Sequence, residues 1–195
     1  MQTIPGRAEV IADYMISLYT KFGDEDYIGE PVSQLEHMCQ CAQLAEDEGE
    51  NEEIILAGFF HDLGHFCEHL QPVEQMDGLG VVDHEGLGAT MLLDKGFSPG
   101  IASLVRNHVQ AKRYLTYKNP GYYARLSDAS KETLKFQGGV MSPEEAIAFE
   151  SDPLFSLHIR LRQWDEKAKL ENQPVPSLDK FRDMMVRHLN SRGIY

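Results

Sequence analysis

The sequence predicts an all-α fold, and three observations carry that prediction. Apolar residues recur at helical spacing in one segment after another, no run alternates with period two, and Pro, Gly and acidic clusters fall where helices would stop. With 195 residues, 42% of them apolar, one domain spanning 1–195 is expected, with a core that needs no disulfide staples. Within it we expect an N-terminal helix and loop over 7–30, a core over 31–170 and a C-terminal helix over 177–190.

Val10, Ile11, Tyr14, Met15, Leu18 and Tyr19 share one face of a first helix over 7–21. An acidic loop from Gly23 to Pro31 follows, and Pro31 suits the first turn of a second helix over 31–47, which carries His37 on the face of Cys41 and Leu44. The central stretch over 54–68 is apolar for seven positions up to Phe60, as in a helix buried on most sides. After a loop over 71–82, Asp83 reads as the N-cap of a helix reaching about Leu93, with His84 in its first turn. Ser98-Pro99 starts another helix, carrying Ile101, Leu104, Val105, His108 and Lys112. Residues 114–123, rich in Tyr and broken by Pro and Gly, read as a loop. Ser142-Pro143-Glu144-Glu145 and Asp152-Pro153 read as two further helix starts, and the last amphipathic helix spans 178–189.

Charge and composition exclude several function classes. A net charge of −13, with Lys and Arg scattered, argues against nucleic acid, whose binders display basic patches. No apolar run is long enough for a membrane span, and Met1-Gln2-Thr3-Ile4-Pro5 lacks the pattern of a secretory leader, so a cytoplasmic protein is expected. Three cysteines, Cys39, Cys41 and Cys67, read as reduced packing residues.

The chemistry starts where the central stretch stops being apolar. His61, Asp62 and His65 appear where the pattern demands Leu or Phe, and a buried imidazole beside a buried carboxylate is costly unless something pairs with both. A metal ion is the commonest such partner. A lone His-Asp pair at a helix end is more often merely solvated, but here His37, His84, His108 and Asp165 lie in other helical segments. Four imidazoles and two carboxylates exceed what one metal with open positions needs, whereas two metals bridged by a carboxylate, roughly 3.5 to 4 Å apart, use them all. Asp62 is the natural bridge. His69, His158 and His188 read as surface or packing residues.

The order His37, His61-Asp62, Asp165 resembles the ligand pattern of the HD-domain superfamily, an all-helical bundle with a buried metal site, and His84 and His108 resemble its dinuclear branch. Longer motifs narrow the resemblance: Asp26-Tyr27-Ile28-Gly29-Glu30, Gln34-Leu35-Glu36-His37, His61-Asp62-Leu63-Gly64-His65, Gln75-Met76-Asp77-Gly78-Leu79-Gly80, His108 to Tyr114, Asp152 to Phe155 and Arg162-Gln163-Trp164-Asp165 are similar to the di-iron oxygenases of organophosphonate catabolism. The resemblance covers about 26–169. It implies a dioxygenase, related in chemistry to myo-inositol oxygenase, with two iron ions as an Fe(II)/Fe(III) pair and O2 as co-substrate. The implied reaction cleaves the carbon-phosphorus bond of an (R)-1-hydroxy-2-(amino or trimethylamino)ethylphosphonate to phosphate and glycine or glycine betaine, with a 2-oxoglutarate-dependent hydroxylase upstream supplying the substrate.

By matching position, the resemblance places His37, His61, Asp62 and Asp165 on one iron and Asp62, His84 and His108 on the other. Lys112, Ser130, Arg162 and His65 resemble a phosphonate clamp, Tyr27 occupies the open iron position until substrate arrives, and Glu30 meets the substrate's cationic nitrogen. Lys112 lies one turn beyond His108 and Arg162 one turn before Asp165, so their register with the candidate ligands favours a site over a solvated face. Two other readings stand beside this one: an HD phosphohydrolase of a phosphomonoester or nucleotide, and a catalytically silent metal-binding module. The acidic loop of Tyr27 and Glu30 speaks against the first, the registered Lys112, Ser130 and Arg162 against the second.

Overall fold

The structure, a computed structural model, describes residues 5–195; Met1 to Ile4, on which part of the leader argument rested, lie outside it. Among the described residues there are ten α-helices and no strand. In order they are α1 (Arg7–Phe22), α2 (Gln34–Asp47), α3 (Glu52–Phe60), a 3-10 helix (Leu63–His69), α4 (His84–Asp94), α5 (Pro99–Lys118), α6 (Pro120–Arg125), α7 (Asp128–Phe136), α8 (Pro143–Glu150), α9 (Phe155–Lys167) and α10 (Leu178–Ser191).

The helix α3 is the hub, with every residue from Ile54 to Phe60 buried. Around it α2, α5, α9 and α10 bury their apolar faces in one large core, and α1 closes it from outside through α10. Phe59 stacks on Tyr19 of α1 at 4.1 Å and on Phe181 of α10 at 4.0 Å, and the Tyr19 hydroxyl donates to the Phe59 carbonyl at 2.7 Å. A buried phenol thus keeps its hydrogen bond while contributing its ring to the core. A smaller cluster of Ala111, Tyr114, Met141, Ala146 and Phe149 packs α8 onto the outer half of α5.

Several elements differ from expectation for identifiable reasons. The second helix begins at Gln34, not Pro31, because Ser33 and Glu36 form a reciprocal capping box that fixes the start three residues later. The central helix does not run through to Glu68. It stops at Phe60, and Leu63–His69 continues as a 3-10 helix. A side chain on Gly64 would collide with the His84 carbonyl oxygen, so glycine lets this turn press against the start of α4. Asp83 does precede α4, but in the left-handed conformation (φ 55°) and without a side-chain capping bond. Residues 114–123 are mostly helical: α5 continues to Lys118, and Asn119 caps α6 by accepting from Gly121 N–H. Pro120 marked a new first turn and not a loop. α9 opens at Phe155, since the Asp152 carboxylate binds the Leu154 N–H just before it.

Candidate metal centre and adjoining cavity

Four imidazoles converge on Asp62. His37 leaves α2, His61 caps the end of α3, His84 opens α4 and His108 lies mid-way along α5, all buried. Asp62 Oδ2 lies 3.4 Å from His37 Nε2 and 3.3 Å from His61 Nε2, while its Oδ1 lies 3.4 Å from both His84 Nε2 and His108 Nε2. One carboxylate therefore faces two histidine pairs with two different oxygens. Asp165, from α9, adds Oδ1 at 3.4 Å from His37 Nε2.

Each ring is fixed by its other nitrogen. Nδ1–H of His61, His84 and His108 donates to a carbonyl three residues earlier, Gly58, Val81 and Val105, at 2.8, 3.3 and 2.7 Å. Nδ1–H of His37 donates to Ala168 O, 2.9 Å away, beyond the end of α9. A proton on Nδ1 leaves Nε2 as a lone pair, so all four lone pairs point inward. The Nε2 atoms of His37 and His61 then lie 3.0 Å apart, and those of His84 and His108 3.2 Å. Lone pairs so close repel unless cations lie among them, and Asp165 Oδ1 is buried with no hydrogen-bond partner. The donor set thus fits two metal ions, one facing His37, His61, Asp62 and the second facing Asp62, His84, His108.

A cavity opens on one side of this centre. It is lined by Asp62, His84, His108 and Asp165, but not by His37 or His61. Lys112, Ser130 and Arg162 line it as well. The Lys112 ammonium donates to Thr133 Oγ1 at 2.8 Å and Gln137 Oε1 at 2.9 Å, both neutral. Arg162 spends Nη1 on Asp165 Oδ2 at 2.5 Å and Nε on Tyr122 and Glu166, which leaves Nη2 buried and unpartnered. Two cations are thus held at the cavity, and neither Lys112 nor Nη2 of Arg162 has an anion of its own.

Residues 35–154 match the HD domain family. The chain is 46% identical, over 90% of its length and 80% of the relative's, to an uncharacterized protein of Acanthamoeba polyphaga mimivirus. It is 40% identical to the [1-hydroxy-2-(trimethylamino)ethyl]phosphonate dioxygenase (glycine-betaine-forming) of Leisingera caerulea, over 91% of this chain and 89% of that one. To the hydroxymethylphosphonate dioxygenase of Gimesia maris it is 35% identical, over 80% and 78%. The chain belongs to the HD-domain phosphonate oxygenases.

The protonation states in this oxygenase follow from burial and neighbours. Burial alone would raise Asp62, but without metal ions the imidazoles around it, His61 first and then His108 and His37, hold it well below the carboxylate range by taking up protons that bound ions would displace. Burial and the His84 ring push His65 down to about 3, so it is neutral. Its Nδ1 accepts the Val81 N–H at 3.3 Å, which puts its proton on Nε2 as a donor. Burial, reinforced by Arg162, pushes Lys112 down to about 7.

All twelve residues singled out from sequence lie at or beside this centre. Tyr27 stacks on His37 with ring centroids 4.0 Å apart, a neutral phenol raised by burial and by the Asp62 and Asp165 charges. Glu30 lines the cavity, but the Lys169 ammonium already holds it at 2.5 Å. Sequence reasoning missed Lys169, Thr133, Gln137 and Glu166, and it read Tyr122 as part of a loop. Glu166 lies at i+4 from Arg162 and Lys169 four residues after Asp165, just past the end of α9, whereas Thr133 and Gln137 come from α7 and its C-cap and Tyr122 from α6. Gln34, inside a quoted motif but given no role, also lines the cavity with Oε1 buried and unpartnered. The dismissed histidines are less uniform than expected: His69 is exposed, whereas His158 and His188 are buried.

Proposed function

We propose that this oxygenase cleaves the carbon-phosphorus bond of a 1-hydroxy-2-(amino or trimethylamino)ethylphosphonate with O2, using two iron ions held by His37, His61, Asp62, His84, His108 and Asp165. The observation that carries this reading is the pairing of a cavity-facing Asp62, His84 and His108 with the Lys112 ammonium, whose partners are both neutral, and with Nη2 of Arg162, which has no partner. A phosphonate supplies what those groups lack: oxygens for Nη2 of Arg162 and for the Lys112 ammonium, with charge-assisted hydrogen bonds.

The metal pair, when bound, supplies electron transfer to O2 and a Lewis acid for the hydroxyl and phosphonate oxygens. The chain does the positioning. Lys112 and Arg162 fix the phosphorus end, Nε2–H of His65 offers a third donor, and the Ser130 side chain closes the same wall. Tyr27, flat on His37, shields that half of the centre from water. Overall, R–CH(OH)–PO3H2 and O2 become R–COOH and H3PO4. The C–H and C–P bonds break, carbon gains one oxygen and phosphorus the other, and no outside reductant is consumed.

The test is to add O2 to anaerobic Fe(II)-loaded protein with 1-hydroxy-2-aminoethylphosphonate or its trimethylated form and to measure phosphate. Release that requires O2 is expected. Equal release without O2 would point to the phosphohydrolase reading, and no turnover of any phosphonate would end this one.

A further inference from the structure

The cavity is polarised. Lys112 and Arg162 bring positive charge to its lining, and Glu30, on the loop between α1 and α2, brings a carboxylate. That carboxylate is not free. Lys169, four residues beyond Asp165, reaches across to it at 2.5 Å, with both side chains largely shielded from solvent, at 16% and 10% exposure. The Lys169 ammonium also sits 5.6 Å from the centre of the Tyr27 ring. While Glu30 is among the residues that line the cavity, Lys169 is not. Its anchorage is firm, because the preceding residue, Ala168, receives the His37 Nδ1–H.

We propose that Lys169 is a specificity-determining residue: it competes for Glu30 with any cationic group on the substrate's tail and so sets how far the cavity prefers a charged tail over an uncharged one. This rests on the phosphonate reading above. A tail ammonium entering the cavity finds a carboxylate whose charge is already compensated, and it meets repulsion from Lys169 as well. Both effects weaken binding of a cationic tail and leave a neutral one untouched. In a shielded setting the competition is not screened away, so one charge matters there more than it would on the surface.

The experiment measures anaerobic binding to the iron-loaded protein by calorimetry. Two ligands are compared, hydroxymethylphosphonate and 1-hydroxy-2-(trimethylamino)ethylphosphonate. In Lys169→Met, which keeps the aliphatic stem over Tyr27, the preference for the cationic ligand should rise about tenfold, the scale of one charge-assisted contact. Lys169→Gln should shift the ratio the same way, Lys169→Arg should leave it at the wild-type value, and adding Glu30→Gln to Lys169→Met should abolish the gain. A ratio that stays put or falls in both Lys169→Met and Lys169→Gln overturns the proposal, since a merely structural lysine would weaken both ligands alike. If the wild type binds and turns over neither phosphonate, the functional reading itself fails, and this inference with it.

Discussion

The two histidine pairs are built alike and placed differently. Both have partners 24 residues apart in sequence, Nε2 atoms near 3 Å and one oxygen of Asp62 each. Yet the His37/His61 half has Asp165 as an additional donor and Tyr27 stacked over it, while the His84/His108 half has neither and faces the cavity with Lys112 one turn away. The half with fewer protein donors is the one with access. An ion there keeps positions open for an incoming ligand, whereas one in the other half is mostly enclosed by the chain. The 24-residue recurrence is therefore a coincidence of spacing that serves two different environments, since the flanking sequences do not match.

The largest effect should come from what the halves share. Asp62→Ala removes an oxygen from each, so metal analysis should find both irons lost and phosphate release reduced at least a thousandfold. His84→Ala touches the open half alone: it should lose one iron of two and all measurable activity. Retention of both irons in either variant would break the proposed division of donors.

Next in size is the cation pair. Arg162→Met deletes the unpartnered Nη2 and leaves Asp165 Oδ2 unpaired, so both substrate affinity and iron retention should suffer. Glu166→Gln sharpens the comparison: it loosens the guanidinium without touching Asp165. KM for the phosphonate should rise about tenfold there with iron content unchanged.

Much of this was legible in the sequence, for a physical reason. Polar residues inside an apolar helix pattern announce themselves, and His61, Asp62, His84 and His108 each interrupt such a pattern or sit beside its end. What escaped was the support: Thr133 and Gln137 under Lys112, Tyr122 beside Arg162, Lys169 against Glu30. Thr133, Gln137 and Lys169 are polar residues in polar stretches and Tyr122 is one of several tyrosines in its segment, so none is a local anomaly, and each acquires meaning only when α5, α6, α7 and α9 come together. The misread segment 114–123 follows the same logic. Tyr and Pro there looked like a loop because the faces Tyr114 and Tyr122 bury belong to α8 and α9, far along the chain.

Lys112 tests the open half through pH. Its ammonium is the anion-holding form, and burial lowers it to about 7, so that form is present below 7 and lost as pH rises. kcat/KM reports the free enzyme and should fall by up to tenfold per unit above about 7. In Lys112→Met that limb should vanish and the remaining value should be low at every pH. A limb that survives unchanged would assign the titration to another group.

The smallest effect belongs to the enclosed half. Tyr27 contributes a ring against His37, and its phenol is held neutral by burial and the Asp62 and Asp165 charges. Tyr27→Phe keeps the ring and the stacking, so turnover should stay within about threefold of wild type, the scale of one modest hydrogen bond. The resting iron spectrum, by contrast, should change if the hydroxyl reaches the metal before substrate arrives. An unchanged spectrum would confine Tyr27 to shielding His37, and a large loss of turnover would mean that the hydroxyl takes part in holding the substrate and that the two halves are less separate than their donors suggest.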